Sequence, residues 1–203
     1  MTMLSENQMV IISVLFTRCD KAEYDEATTP ANWDSFVAAA RPGLRTALSA
    51  PLSFDDYRHF FNLVLTPGMP HALPPVESLY KDWGGHKAGI QHGQGFYLGD
   101  AAHHVESVFK ALEIGIPAGY SAMPDHLLLL LELYTFLSEH ADLHEVQEFA
   151  VRHFDWLDTY RKLLAMRVES EEDICLVRVS EFYQRIIDYL EDMVTNEQVA
   201  QSA

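Results

Sequence analysis

Apolar residues recur along most of this chain at a spacing of three to four, the period of a helix with one buried face. Ser5 stands before Met9, Ile12, Leu15 and Phe16, which predicts a capped first helix reaching about Arg18. Thr29-Pro30 reads as an N-cap followed by proline at the first helical position, ahead of Trp33, Phe36 and Val37. Arg41-Pro42 interrupts, and a short helix is expected over Leu44 to Leu48. Ser53-Phe-Asp-Asp56 is a capping pattern with acidic residues in the first turn, so a helix should run through Phe60, Phe61 and Val64 and stop before Pro67. The period then lapses. Between Pro67 and Gly99 lie Pro70, Pro74, Pro75, Gly84, Gly85, Gly89, Gly93 and Gly95, which predicts a long irregular connection. Connections of that length are usually functional or mobile.

Helical spacing returns after Asp100, an expected cap for a helix carrying Val105, Val108, Phe109 and Leu112. Gly115-Ile-Pro117-Ala-Gly119 breaks the chain again. Pro124 is expected to open a helix to about His140, and Asp142 to cap another through Val146, Phe149, Ala150 and Phe154. Trp156, Leu157, Tyr160, Leu163 and Leu164 continue the apolar face. A last helix, about Ser170 to Met193, should turn Ile174, Val177, Phe182, Ile186 and Tyr189 inward. Its outer face would carry Glu171, Glu172, Asp173, Glu181, Asp188, Glu191 and Asp192. No stretch has a convincing strand period and no repeat is present. The pattern predicts an all-α, bundle-like globule of about eight to ten helices in two lobes. The first would span residues 1–113 and carry the loop at 67–99, residues 114–123 would be a hinge, and 124–203 would form the second lobe.

Composition narrows the function classes. The 203 residues carry 14 Lys and Arg against 30 Asp and Glu, a formal charge of −16. Such a chain lacks the basic patch that releases counterions from nucleic acid, and an anionic bilayer would repel it. A cationic partner would be attracted and steered. Cys19 and Cys175, with 155 residues between them, form neither a Cys-x-x-Cys motif nor a disulfide framework, which fits a reducing cytosol. No Lys or Arg precedes the apolar run Met9–Phe16, unlike a signal peptide, and the run Leu127–Leu131 is too short to span a bilayer. The expected location is the cytoplasm, without stable membrane insertion.

Candidate chemistry is sparse. No phosphate loop, dinucleotide fingerprint or nucleophile elbow occurs. Ten histidines raise the alternative of a small helical metal-binding enzyme, with His86, His92, His103 and His104 as the richest stretch. His103 and His104 are adjacent on a helix and point about 100° apart, so they do not readily share a metal. His140 and His144 are four apart, but Asp142 is expected to break the helix between them. The acidic residues mostly occupy first turns or outer faces and suggest no carboxylate dyad. Two stretches stand out. In Leu73-Pro-Pro-Val-Glu-Ser-Leu-Tyr80, two prolines force an extended backbone that would line a groove and leave backbone groups open to a ligand; its plain alternative is a linker. In Met123-Pro-Asp-His-Leu127, an acid near a helix start and a histidine precede an all-apolar run; the plain alternative is a helix start with a satisfied histidine.

Taken in order, Pro74-Pro75-Val-Glu77-Ser78-Leu-Tyr80, then Pro124-Asp125-His126-Leu127 heading a helix with Glu132-Leu133, then His153-Phe-Asp-Trp156-Leu157 after Glu148-Phe149, resemble the TorD/DmsD/NarJ family of molybdoenzyme maturation chaperones. The likeness runs from about residue 5 to residue 190. Where the family often carries Glu three positions before the Asp, this chain has Ala122, and residues 81–97 are richer in glycine. The resemblance implies an all-helical cytoplasmic chaperone that is not an enzyme and holds no cofactor. It would bind the twin-arginine signal peptide or the apo form of a molybdopterin (DMSO reductase family) oxidoreductase subunit, and assist cofactor insertion before export or assembly. It implies a peptide site of Pro124, Asp125 and His126, with Pro75, Glu77, Ser78 and Tyr80 nearby. Asp125 would either accept an arginine or orient His126. A helical interaction subunit for a folded partner is a further alternative. The pivot at Gly115–Gly119 admits a monomer or a domain-swapped homodimer.

Overall fold

Local chemistry sets where the helices begin. Ser5 Oγ accepts the Gln8 amide while the Gln8 side chain accepts the Ser5 amide, a capping box that opens α1 (Glu6–Phe16). Asp20 and Glu23 repeat the device for α2 (Lys21–Ala27). Thr29 caps α3 (Pro30–Ala38), and a proline starts α4 (Pro42–Ala47). Ser53 caps α5 (Phe54–Phe60), which widens into one π-helical turn, Phe61–Leu65. There the Thr66 amide and hydroxyl both reach Phe61 O at 2.9 Å. Thr66 itself is extended, as the residue before Pro67 must be, so the helix ends where expected. The later helices are α6 (Asp100–Ala111), α7 (Leu127–His140), α8 (Leu143–Phe154), α9 (Leu157–Val168) and α10 (Ile174–Val199). The computed structural model describes residues 4–82, 95–169 and 171–199.

The fold is all-α, as the sequence predicts, with ten α-helices among the described residues. The one strand-like feature among them is an isolated antiparallel bridge between Val76 and His126. The chain forms two compact units. Unit 1 takes the residues up to Pro74 and those from Leu157 onward, and unit 2 is Pro75–Trp156. Residues 114–123, where the sequence places a hinge, lie within unit 2. No helix among the described residues is long and apolar enough to cross a membrane.

Unit 1 closes on α10, which packs on α4, α5 and α9. Its core is aromatic. Tyr183 stacks on Phe60 with ring centroids 4.6 Å apart and meets the edge of Phe16 at 5.3 Å. Trp33 stacks on Phe182 at 5.9 Å. The buried polar tips are satisfied: Trp33 Nε1 donates to Leu48 O, Tyr183 Oη to Leu15 O, and Tyr160 Oη to Leu73 O.

The starts of α6 and α10 differ from expectation. Gly99, not Asp100, is the N-cap of α6, and Asp100 is its first residue. The last helix begins at Ile174 because Asp173 Oδ1 accepts the amides of Cys175 and Leu176. The expected inward face holds at Ile186 and Tyr189 and fails at Ile174. Leu176, Val179, Tyr183, Ile186, Ile187 and Leu190 are buried, Val177 and Phe182 are half-buried, and Ile174 is 83% exposed. Ile174→Gln is therefore expected to change unfolding stability by less than about 0.5 kcal/mol. Ile187→Ala, at 0% exposure, should lower it by about 2–5 kcal/mol. Urea denaturation of the two variants checks the assignment of the face.

Unit 2 buries α7 on all sides over Leu127–Leu131, as an apolar run without a polar face requires. α7 packs on α8, and α6 on the 3-10 turn Glu77–Leu79. Asp142 caps α8 after α7 has ended at His140, so the histidines at 140 and 144 belong to different helices, as expected.

Candidate functional site

The three stretches that carry the family likeness interlock within unit 2. Val76 and His126 face each other as a bridge, closed by Glu77 N donating to Asp125 O at 3.1 Å and Leu127 N to Pro75 O at 2.8 Å. This sets the start of α7. His126 is extended (φ −64°, ψ 140°) and its Nδ1 accepts the Leu128 amide at 3.2 Å, so His126 is the N-cap. Pro124 and Asp125 precede the helix in a turn, which corrects the expectation that Pro124 opens it. The cause is long-range: pairing with Val76 holds residue 126 outside helical dihedrals.

Asp125 is fully buried. Its Oδ2 accepts from Ser78 N at 2.7 Å and Ser78 Oγ at 2.5 Å, so it neither faces the α7 amides nor bonds the His126 ring. Its Oδ1 is buried with no hydrogen-bond partner among the described residues. Burial raises the pKa of this carboxyl, and the two bonds from Ser78 oppose the rise. The backbone of the proline-rich stretch is not open to a ligand as expected: Pro75 O, Glu77 N, Ser78 N and Ser78 O all have partners, the last from Gly95 N at 3.2 Å. Gly99 sits against the same turn, where an added Cβ would lie 3.0 Å from Ser78 Cβ. Because Cβ of Ser78 is fixed to the backbone, Gly99→Val is expected to cost about 1–3 kcal/mol by overpacking, read as a lower midpoint in thermal unfolding.

Glu77 leads to the third stretch. Its Oε2 lies 2.7 Å from His153 Nδ1, both side chains fully buried, and its Oε1 lies 3.7 Å from Lys81 Nζ, which also pairs with Asp155 at 2.7 Å. His153 Nε2 is 3.0 Å from His104 Nδ1, and His104 Nε2 is 3.4 Å from Arg152 Nη1. Desolvation, then the charges of Lys81 and Arg152, pushes the pKa of His153 down to about 3, so the Glu77–His153 contact is a hydrogen bond to a neutral imidazole rather than an ion pair. Burial also lowers the pKa of His104. The direction of every proton then follows. Arg152 can only donate, so His104 Nε2 accepts; His104 Nδ1–H donates to His153 Nε2; His153 Nδ1–H donates to Glu77. Trp156 completes the knot, its Nε1 donating to His153 O at 2.8 Å and its ring stacked on Tyr80 at 5.6 Å and 11°.

All seven expected site residues, Pro75, Glu77, Ser78, Tyr80, Pro124, Asp125 and His126, are brought together, and all are buried. The sequence reading missed the partnership of His104 and His153. A signal existed: His153 falls on the stripe Val146, Phe149, Ala150 of α8, and a polar residue on an apolar stripe calls for a buried partner. Exposed apolar surface lies beside the knot, at Phe96 (67% exposed), Tyr97 and Leu98. Burial and then the charge of Asp125 raise the pKa of Tyr97. Leu98 has a left-handed backbone (φ 57°), a strained state for a branched side chain. Among the described residues no group of three or more His, Cys, Asp and Glu is placed to hold a metal ion; His86 and His92 lie outside them.

No curated protein and no solved structure matches this chain. The family model described as nitrate reductase delta subunit matches residues 31–170, a span that takes in all three interlocked stretches. The chain belongs to that family, the NarJ/TorD-type chaperones that assemble molybdoenzymes and act with their catalytic subunits.

Proposed function

We propose that this chain is a cytoplasmic, non-catalytic chaperone that binds the twin-arginine leader of a molybdopterin oxidoreductase subunit and holds the apo-subunit until its cofactor is inserted. Membership of the assembly-chaperone family carries the class of function. The site reading rests on one observation, the buried Asp125 Oδ1 that has no donor among the described residues, beside exposed Phe96, Tyr97 and Leu98. A leader supplies both complements. Its apolar stretch covers Phe96–Leu98 and provides most of the affinity. One of its guanidiniums gives Asp125 the charge-assisted bond it lacks. Reaching Asp125 requires residues 95–99 to lift, and the strain at Leu98 favours that movement. Glu77, Ser78, Tyr80, Pro75, Pro124 and His126 frame the carboxylate, and the net charge of −16 steers the cationic peptide toward it.

Calorimetry with a synthetic leader tests this. Phe96→Ser with Leu98→Ser, both at exposed positions, should weaken binding about tenfold or more, and replacing the arginine pair of the peptide by glutamine should do likewise. Equal binding by the glutamine peptide overturns the role of Asp125. Capture of the apo-subunit only when its leader is absent moves recognition to the mature subunit. Size-exclusion chromatography decides between a monomer and a domain-swapped dimer.

A further inference from the structure

Cations are scarce in this chain, and their distribution is uneven. Lys21, Arg41, Lys81, Arg152, Arg161, Lys162, Arg167, Arg178 and Arg185 each pair with a carboxylate. Arg45 donates to two carbonyls. Among the described residues that leaves Arg18, Arg58 and Lys110 without an anionic partner. Two of these three, Arg18 and Arg58, line one cavity of about 570 Å³ in unit 1, together with Lys21.

Phe54, Tyr57 and Phe61 also line this cavity. Lys21 Nζ, which also pairs with Asp25, and Arg58 Cζ stand 5.9 Å and 5.6 Å from the centroid of the same Phe54 ring, so one ring gathers two cationic heads. Two carboxylates also line the wall, and both are turned to backbone: Asp20 Oδ1 accepts the amides of Ala22 and Glu23, and Glu23 Oε2 accepts the Asp20 amide. Their charge is offset by the first turn of α2. Arg18 also borders a second cavity that carries Glu6 and Glu26, so Arg58 and Lys21 dominate the first. In a chain of net charge −16, cationic heads gathered at one aromatic-lined cavity are stabilised by a bridging polyanion.

We propose that this cavity of unit 1 binds a multiply charged phosphate anion, free or carried on a nucleotide, gripped by Arg58, Lys21 and Arg18. Its volume is that of a small-ligand site. The site is separate from the client reading of unit 2, and its test does not depend on that reading.

The test is calorimetric titration of the whole protein with tripolyphosphate, with a nucleoside triphosphate and with the bare nucleoside. Tripolyphosphate is expected to bind saturably at low ionic strength and to weaken with added salt. Arg58→Gln and Arg18→Gln, both at exposed positions, should each weaken it several-fold, about tenfold for Arg58, while Lys110→Gln leaves it unchanged. In a Cys175→Ser background, bound tripolyphosphate should slow maleimide labelling of Cys19, which lines the same wall. Tighter binding of the nucleoside triphosphate assigns the site to a nucleotide, and equal binding assigns it to the phosphate chain. Absence of saturable tripolyphosphate binding, binding unmoved in both arginine variants, or unprotected Cys19 overturns the proposal.

Discussion

Replacing Glu77 by leucine is expected to lower the unfolding free energy by about 3–5 kcal/mol, more than any exposed ion pair of the chain would contribute. Glu77 is fully buried and receives the Nδ1–H of an equally buried His153 at 2.7 Å. Leucine removes the acceptor that this buried N–H meets at 2.7 Å, and a buried bond unmade costs far more than a made one gains. It also removes the charge facing Lys81. The double replacement Glu77→Leu with His153→Phe should recover much of the loss, because both polar groups then disappear together. Urea unfolding of the two single variants and the double gives the coupling directly. A double variant as unstable as the sum of the singles would show that the two side chains do not act as a pair.

Much of the framework was legible because it is local. The caps at Ser5, Thr29, Ser53 and Asp142 lie within three residues of the amides they bind, so a linear reading has access to both partners, whereas the same device at Asp20 was not read. The start of α7 was misread because its determinant is Val76, fifty positions away in the chain. The face of α10 was read correctly at Ile186 and Tyr189 and misread at Ile174, because an apolar residue at the first position of a helix carries no mark of facing water. In the site, the residues of the motifs were visible from their order. That Asp125 serves Ser78 rather than the helix amides or His126 was not, since several nearby donors suit a carboxylate and only the fold selects among them. The His104–His153 contact spans 49 positions and belongs to no period.

Acid is expected to unfold this protein from pH values at which most acidic proteins are still stable. His126 and His153 are buried neutral, and burial lowers their pKa values from 6.5 to about 4 and about 3. Below pH 6.5 the unfolded chain takes up protons at these positions and the folded chain does not. Stability therefore falls as pH falls through the window from 6.5 to about 4, with a slope approaching about 1.4 kcal/mol per pH unit for each histidine. The raised pKa of Asp125 acts in the opposite direction, since its folded form holds a proton more readily, and softens the lower end of the window. Asparagine at position 126 keeps an oxygen for the Leu128 amide but does not titrate. His126→Asn should thus retain most of the stability near neutral pH and lose about one proton's worth of slope. Denaturant midpoints at several pH values between about 7.5 and about 5 measure both; a flat profile in the parent chain would refute buried neutral histidines.

Unit 1 is made from both ends of the chain, with unit 2 inserted between Pro74 and Leu157. During synthesis on the ribosome the two therefore finish at different times. Every residue of unit 2 has been made once Trp156 is added, so its knot can form while later residues are still being translated. Unit 1 must wait for α10, whose Tyr183 and Ile187 fill its centre, and until then Trp33, Phe36 and Phe60 stay without their partners. The closing contacts join residues far apart in the chain, 153 positions in the case of Phe36 and Tyr189, and carry the loop-closure cost that slows folding. A member of an assembly-chaperone family thus passes through an exposed interval of its own, which lasts until α10 is made.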